Sequence, residues 1–498
     1  MRKLRITMMS TALSVLMLAA GCHSSSPATT EEQAKAPAVP ASATLKFVIA
    51  MEDGELPEGT DVNQNPYVDF VEEHTGVNLQ LTVPQKSNVQ ESLSSFINSE
   101  IAPDLIHTSD PSWILTQVDL ELLTPLDELL QTDHQELLRL FPEEAWEAVT
   151  FQGKIYAIPS MAEVPGNEVM YARKDWLDAV NLEPPETLEE YYDVMYAFTY
   201  SDPDGNGKDD TWGLTILPNN LSRAAPFFGA FGVPRGDNPI MQWKEKNGKL
   251  VYSGTLPEMS KALAYLRKLY GDGLLDREFI LNREFTFEEK IIKGKVGLFA
   301  GNWYDSAGPI RANMARDPDA EWIRLPYPTG PNGESGTANM GLVQSYSVIP
   351  KGSKHASKVL DVLTFIAGEG YHELALGIQA EEGAGPFIPL YKIANSIQPE
   401  VRKQRLDALG EQVSDDAEYV LEHVLRSDYK GPPTSSMSRF GEQLTELQNE
   451  IFLQYIMGLI SQEDLKRFET QWKLGGGWEV NYEIEQWYRE QQGEGQGE

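Results

Sequence analysis

The sequence predicts an α/β architecture of parallel strands joined by crossover helices, and three observations carry that prediction. Apolar, strand-length runs alternate with helical segments between residues 45 and 106. A second strand and helix series opens near Pro159. The length of 498 residues exceeds one ordinary core, so two or three globular units are expected.

The elements follow in order. Leu45 to Met51 is a mostly apolar run that reads as a buried strand. A helical segment from Pro66 to His74 is stopped by Gly76. Val77, Leu79, Leu81 and Val83 then alternate with Asn78, Gln80 and Thr82, as in a strand with one buried face. A second helix is expected over about Asn88 to Glu100, and Pro103 to Ile106 reads as a third strand. Ligands of such sheets sit beyond the carboxyl ends of the strands, which here are Glu52 and Asp53, then Ser109, Asp110 and Trp113. In the second unit, Glu168 to Ala172 reads as a strand and Lys174 to Val180 as a short helix, with a break at Pro184-Pro185. Thr187 with Glu190 is a capping box that opens a helix from Leu188 to about Thr199. Its Leu188, Tyr191, Tyr192, Met195 and Phe198 have core spacing. Ser461 and Asp464 suggest another capped helix ending at Gly475 to Gly477, and Asn481 to Gln491 a last surface helix.

The N-terminus carries Arg2, Lys3 and Arg5, then an apolar run from Ile6 to Ala20, the outline of a secretory signal too short to span a membrane comfortably. Leu18 to Cys22 resembles the bacterial lipobox, which implies cleavage before Cys22 and a diacylglycerol on its thiol; the alternative is a plain secretory signal that contains a cysteine. Ser24 to Thr44 has the composition of an unfolded tether. Cys22 is the one cysteine of the chain, so intramolecular disulfides, cysteine zinc sites and paired-cysteine redox motifs are excluded. With 41 basic against 75 acidic residues and a formal net charge of -34, broad phosphate-backbone or anionic-lipid recognition is disfavoured, and no nucleic-acid partner is expected.

Six phrases taken together resemble the extracellular solute-binding proteins, family 1, of carbohydrate importers, in the lipoprotein subgroup of Gram-positive type. They are APDLIHTSDPSW (102–113), LLTPLDELL (122–130), FQGKIYAIP (151–159), EVMYARKDWLDAVNLEPPETLEEYYDV (168–194), GKVGLFAGNW (294–303) and YSVIPKGSKHASKVLDVLTFI (346–366). The resemblance spans about Leu45 to Gln491. It implies a two-lobed, periplasmic-binding-protein-like fold of type II, each lobe a mixed sheet flanked by helices, with a cleft between lobes that close on sugar by hinge motion. It implies delivery to a two-subunit ABC permease by a lipid-anchored monomer on the outer face of the cell membrane. Carried onto this chain, the signal is 1–21 and the lipidated tether 22–44. Lobe one is 45–159 plus 301–368, and lobe two 160–300 plus 369–498.

Asp202 to Asp210 matches the first nine positions of an EF-hand-type calcium loop, with Asp202, Asp204, Asn206, the Lys208 carbonyl and Asp210 as oxygen donors. Gly213 stands where the twelfth-position Glu is usual, and Thr211 where related binding proteins often place an acid. A structural Ca2+ is expected; the other reading is an Asp/Asn/Gly turn held by its own hydrogen bonds. Sugar recognition needs aromatic faces and planar carboxylates or amides. Trp303, beside Asn302 at an expected lobe crossing, is the foremost candidate platform, a role the resemblance also suggests. Trp113 beside Asp110 comes second, with Trp212 and Trp243 behind. Glu52, Asp53, Asp110, Glu163, Asn167 and Asn339 are the polar candidates, whereas Arg173 and Asp175 read as a structural ion pair. No nucleophile elbow or P-loop occurs, and His372-Glu373 has Leu376 where a zinc-binding helix needs its second His. An enzyme is therefore not expected. The readings kept beside the receptor are a secreted glycosidase, a binding protein for a non-sugar solute such as a peptide, and a surface adhesin.

Overall fold

The computed structural model describes residues 42–50, 61–84, 88–99, 102–378 and 390–493. Cys22, the signal and tether, Glu52 and Asp53 lie outside them. Eight strands carry two sheets: β1 (Thr44–Ile49), β2 (Asn78–Thr82), β3 (Leu105–Thr108), β4 (Ala157–Met161), β5 (Glu168–Arg173), β6 (Leu298–Asn302), β7 (Trp322–Leu325) and β8 (Val343–Val348). The first sheet runs β2-β1-β3-β8-β4, and the second β6-β5-β7.

In the first sheet β1 is parallel to both β2 and β3, as the opening series of runs predicts. The interior strand β1 buries Leu45, Phe47, Val48 and Ile49, while β2 buries only Leu79 and Leu81 and turns Asn78 and Gln80 outward, as its alternation requires. Helix α1 (Pro66–Thr75) joins β1 to β2. The Asn65 side chain accepts from the backbone N–H groups of Tyr67 and Val68, and Gly76 ends the helix at φ 67°. Helix α2 (Val89–Ile97) is the second crossover. β8 then adds antiparallel to β3 on one side and to β4 on the other, so the sheet is mixed.

The second sheet is not the mixed sheet expected for each lobe: its three strands are antiparallel throughout, because β6 and β7 both run against β5. The capping box forms as read: Thr187 N–H donates to Glu190 Oε2 at 2.9 Å, and the helix runs Leu188–Tyr200 with Leu188, Tyr191, Met195 and Phe198 buried. The Arg173–Asp175 pair is also structural. Its two bonds, of 2.7 and 2.6 Å, hold a buried guanidinium that lies 5.0 Å from the Trp176 ring centroid.

Two lobe boundaries differ from expectation. Gly301 and Asn302 pair with Val169 and Glu168, and β7 pairs with β5, so residues 301–325 stay with the second sheet. The chain re-enters the first sheet only at β8. Tyr371, Leu374, Leu390, Ile393 and Val401 pack in the first core, so residues 369–378 and 390–401 belong there and not to lobe two. The C-terminal segment, with the helix Ser435–Ile456, completes the second core. The capped helix after Ser461 is shorter than expected, Gln462–Lys466, and the last helix opens earlier, at Trp478.

Gly476 has φ 120° in the turn before that last helix, and a Cβ there would run into the Phe440 ring. Gly410 has φ 124° with open space around it. Gly476→Ala is expected to destabilise the protein by about 2–3 kcal/mol and Gly410→Ala by about 1 kcal/mol. Urea unfolding of the two variants measures the difference, and equal midpoints would refute the packing argument.

Candidate functional site

Beyond the carboxyl ends of β1 and β3, where a parallel sheet places its ligands, lies a cavity of about 970 Å³. Ile49, Ala50, His107 and Ser109 come from those strand ends, and Asp237, Asn238, Met241 and Gln242 face them from the second lobe. The crossing at 163–167, the segment 339–346 and Tyr391 to Ile393 close its sides. Both lobes therefore contribute to one site.

Four of the candidates from sequence meet here: Trp303, Glu163, Asn167 and Asn339. Trp303 directly follows β6. Its backbone N–H donates to the Asn167 carbonyl at 3.0 Å, and its half-buried ring meets Tyr304 edge-on at 5.1 Å. Asn339 N–H donates to the Arg235 carbonyl at 2.9 Å, its side-chain oxygen accepts from Gly341 N–H at 3.0 Å, and Gly166 pairs with it. Glu163 accepts from Arg405 Nε at 2.8 Å.

The remaining candidates among the described residues are elsewhere. Asp110 caps helix α3 (Pro111–Asp119), its carboxylate accepting from Ser112 and Trp113 N–H at 2.9 and 3.0 Å and from Gln90 at 2.6 Å. Trp113 is 6% exposed in the first core, with its indole N–H on Ser94. Asn302 is buried behind the wall, where its amide oxygen accepts from Arg223 and its N–H donates to Asp305 at 2.8 Å. Burial pushes the Asp305 carboxyl up to about 6. Trp212 lies against a small second-lobe cluster under Lys290, and Trp243 is fully buried beside Tyr252 and Trp472. In each case a polar or aromatic residue near a strand end serves its own lobe. An N-cap Asp and a ligand Asp look alike in sequence.

Sequence reasoning missed His107, Gln242, Arg405 and the group around Glu144. His107 is fully enclosed with Nδ1 3.0 Å from Ser347 Oγ, and burial, aided by Lys392, lowers its pKa to about 3, so it is neutral at physiological pH. Arg405 joins Glu163 across 242 residues of sequence, donates to the Ala375 carbonyl at 2.7 Å and lies 4.8 Å from the Tyr391 ring centroid. Glu144, on a first-lobe helix (Glu143–Glu147), accepts from Lys430 at 2.7 Å and Arg426 at 3.2 Å, both from the second-lobe segment. The hydrogen bond from Lys430 is the main reason its carboxyl is held below the usual range. No local pattern announces such pairs.

The loop Asp202 to Asp210 is remote from the cavity lining. The Asp202 carboxylate accepts from Gly207 N–H at 3.0 Å, and the Asn206 amide nitrogen lies 2.6 Å from Asp204 and 3.1 Å from Asp210. Lys295 Nζ is 2.6 Å from the other oxygen of Asp210. Among the described residues no group of three or more His, Cys, Asp or Glu stands ready to hold a metal. The donors are all hard oxygens and two carboxylates converge on one point. The set fits Ca2+ once the Asn206 amide turns its oxygen inward and Lys295 gives way.

Comparisons with known proteins agree with this geometry. The chain is 28% identical over 360 residues to the lipoprotein LipO of Bacillus subtilis, covering 70% of this chain and 67% of the relative. It is 26% identical over 370 residues to the polygalacturonan/rhamnogalacturonan-binding protein YtcQ of the same organism, covering 69% and 72%. Its fold is similar to that of the Streptococcus pneumoniae substrate-binding protein FusA, solved as an EF-hand mutant with fructo-nystose. The TM-score is 0.65 at 17% identity, over 90% of this chain and 99% of that one. Residues 57–373 match the model of the bacterial extracellular solute-binding proteins. A chain with this match, two lobes of the type II binding-protein fold and a cavity shared between them belongs to the bacterial extracellular solute-binding protein family.

Proposed function

We propose that the chain is the receptor of an ABC importer and takes an oligosaccharide into the interlobe cavity for delivery to the permease. The observation that carries this reading is the half-buried Trp303 at the wall of a cavity whose lining also holds Asn167, Asn339, Asn238 and Gln242. A flat aromatic face takes the C–H surface of a sugar ring, and planar amides take its hydroxyls. The relatives' names support the ligand class, since one binds polygalacturonan or rhamnogalacturonan and another was solved with fructo-nystose.

The receptor works outside the cell, exported by the N-terminal signal and held to the membrane through lipid on Cys22, as a monomer. No helix among the described residues is long and apolar enough to cross a membrane. Capture draws the lobes together, and the Glu144 contacts to Lys430 and Arg426 act as a latch on the closed form. Calcium on Asp202, Asp204, Asn206, the Lys208 carbonyl and Asp210 ties down a second-lobe loop far from the sugar.

Three outcomes are expected. In calorimetry with galacturonan and fructan oligosaccharides, Trp303→Ala weakens binding of the preferred ligand by about tenfold to a hundredfold, or 1.4–2.8 kcal/mol; unchanged affinity would move the platform elsewhere. Glu144→Gln opens the ligand-free protein, read as a larger radius of gyration in small-angle scattering, and added salt mimics it; a radius indifferent to both sinks the latch. Calcium raises the melting temperature of the wild type and not of Asp204→Asn, whereas equal melting in calcium and chelator refutes the metal site.

A further inference from the structure

Gln242 is 6% exposed, and its side-chain oxygen is buried without a hydrogen-bond partner. Buried side-chain amides are nearly always bonded, and leaving one unsatisfied costs about 1–3 kcal/mol. The backbone around it is firmly tied: its N–H donates to the Pro239 carbonyl at 3.0 Å, its carbonyl accepts from Ser253 N–H at 2.9 Å, and the next residue, Trp243, anchors in the second core. The residue borders the cavity. The residue thus stands at the wall with its amide oxygen just beneath the cavity surface and with unused hydrogen-bonding capacity.

The surroundings are equally specific. The amide lies over Gly236, where a Cβ would stand 2.8 Å from Nε2 and would also collide with the Asn339 carbonyl. Only glycine lets the amide and the Asn339 strap approach from both sides. Asn339 pairs with Gly166, and the neighbouring Asn167 receives the Trp303 N–H. A continuous run of backbone contacts thus connects the unsatisfied amide to the aromatic platform. Asp237, next to Gly236, lines the same wall, and burial raises its carboxyl pKa.

We propose that Gln242 is a specificity-determining residue whose side-chain amide completes its hydrogen bonds with hydroxyls of the sugar unit stacked on or next to Trp303. The inference rests on the oligosaccharide reading and names the group that reads the ligand's hydroxyl pattern. A site built to bond a hydroxyl discriminates strongly against an analogue that lacks it, because its own buried polar group then stays unpaired.

The test uses the full-length mature protein, tri- and tetrasaccharide fragments of polygalacturonan, and fructooligosaccharides of the same lengths. Gln242→Leu and Gln242→Met keep the bulk and remove the amide. Both are expected to melt at or above the wild-type temperature, since an unpaired polar group is lost, and to bind the preferred oligosaccharide about tenfold to a hundredfold more weakly. Monodeoxy analogues should lose affinity for the wild type and not for these variants. A wild type that binds none of the sugars overturns the oligosaccharide reading and this one with it. A wild type that binds and variants that bind as tightly overturn the role of Gln242 alone. Variants with lowered melting and unaltered affinity would show a structural amide and overturn it likewise.

Discussion

Apolar cohesion in this protein stops at the boundary of each lobe, and everything else about the molecule depends on that. Leu45, Phe47, Ile106 and Ile366 bury one another around the first sheet, while Trp243, Tyr252 and Trp472 stack within the second lobe, the last two at 4.5 Å. The ion pairs that join the lobes at the cavity are those of Glu144 with Lys430 and Arg426, while Glu163 with Arg405 ties two crossing segments together. Ion pairs at a wet boundary are worth little compared with a core and respond to salt. Two rigid bodies joined by weak, reversible contacts are what a capture device needs.

The same division explains how much the sequence could tell. Local rules were legible because their physics is local: the alternation in β2, the Asn65 cap with its Gly76 stop, and the Thr187 capping box all involve neighbours within a few residues. The lobe limits were misplaced because Gly301 and Asn302 find partners at Val169 and Glu168, more than a hundred residues away, and nothing in GKVGLFAGNW records that pairing. The opening parallel series is visible in the residues, whereas the antiparallel closure by β8 has no local signal and was expected only through the resemblance, which implies a mixed sheet.

The site divides in the same way. Glu163, Asn167 and Asn339 line the cavity at or near crossings, where chain from one lobe borders the other, whereas Trp303 lines it from the end of β6 within the second sheet and not from the expected crossing. Asp110 and Trp113 were lost to a helix cap and a core, roles that the residue type alone does not separate from ligand contact. Gln242 carries no sequence signal at all. Its interest arises from a bond it does not make, which only the packing around Gly236 and Asn339 exposes.

The chain passes between lobes three times, after β4, between β7 and β8, and between Val401 and Leu406. Mechanically, one connection would act as a swivel and two would define an axis while leaving the bodies free to shear. A third, stiffened by Arg405 against Glu163 and Tyr391, removes most of the remaining freedom. Bending is the motion such a linkage hinders least. Under the proposed closure the two walls of the cavity would meet in one register, so that an amide on one wall is matched to a hydroxyl presented from the other with little search.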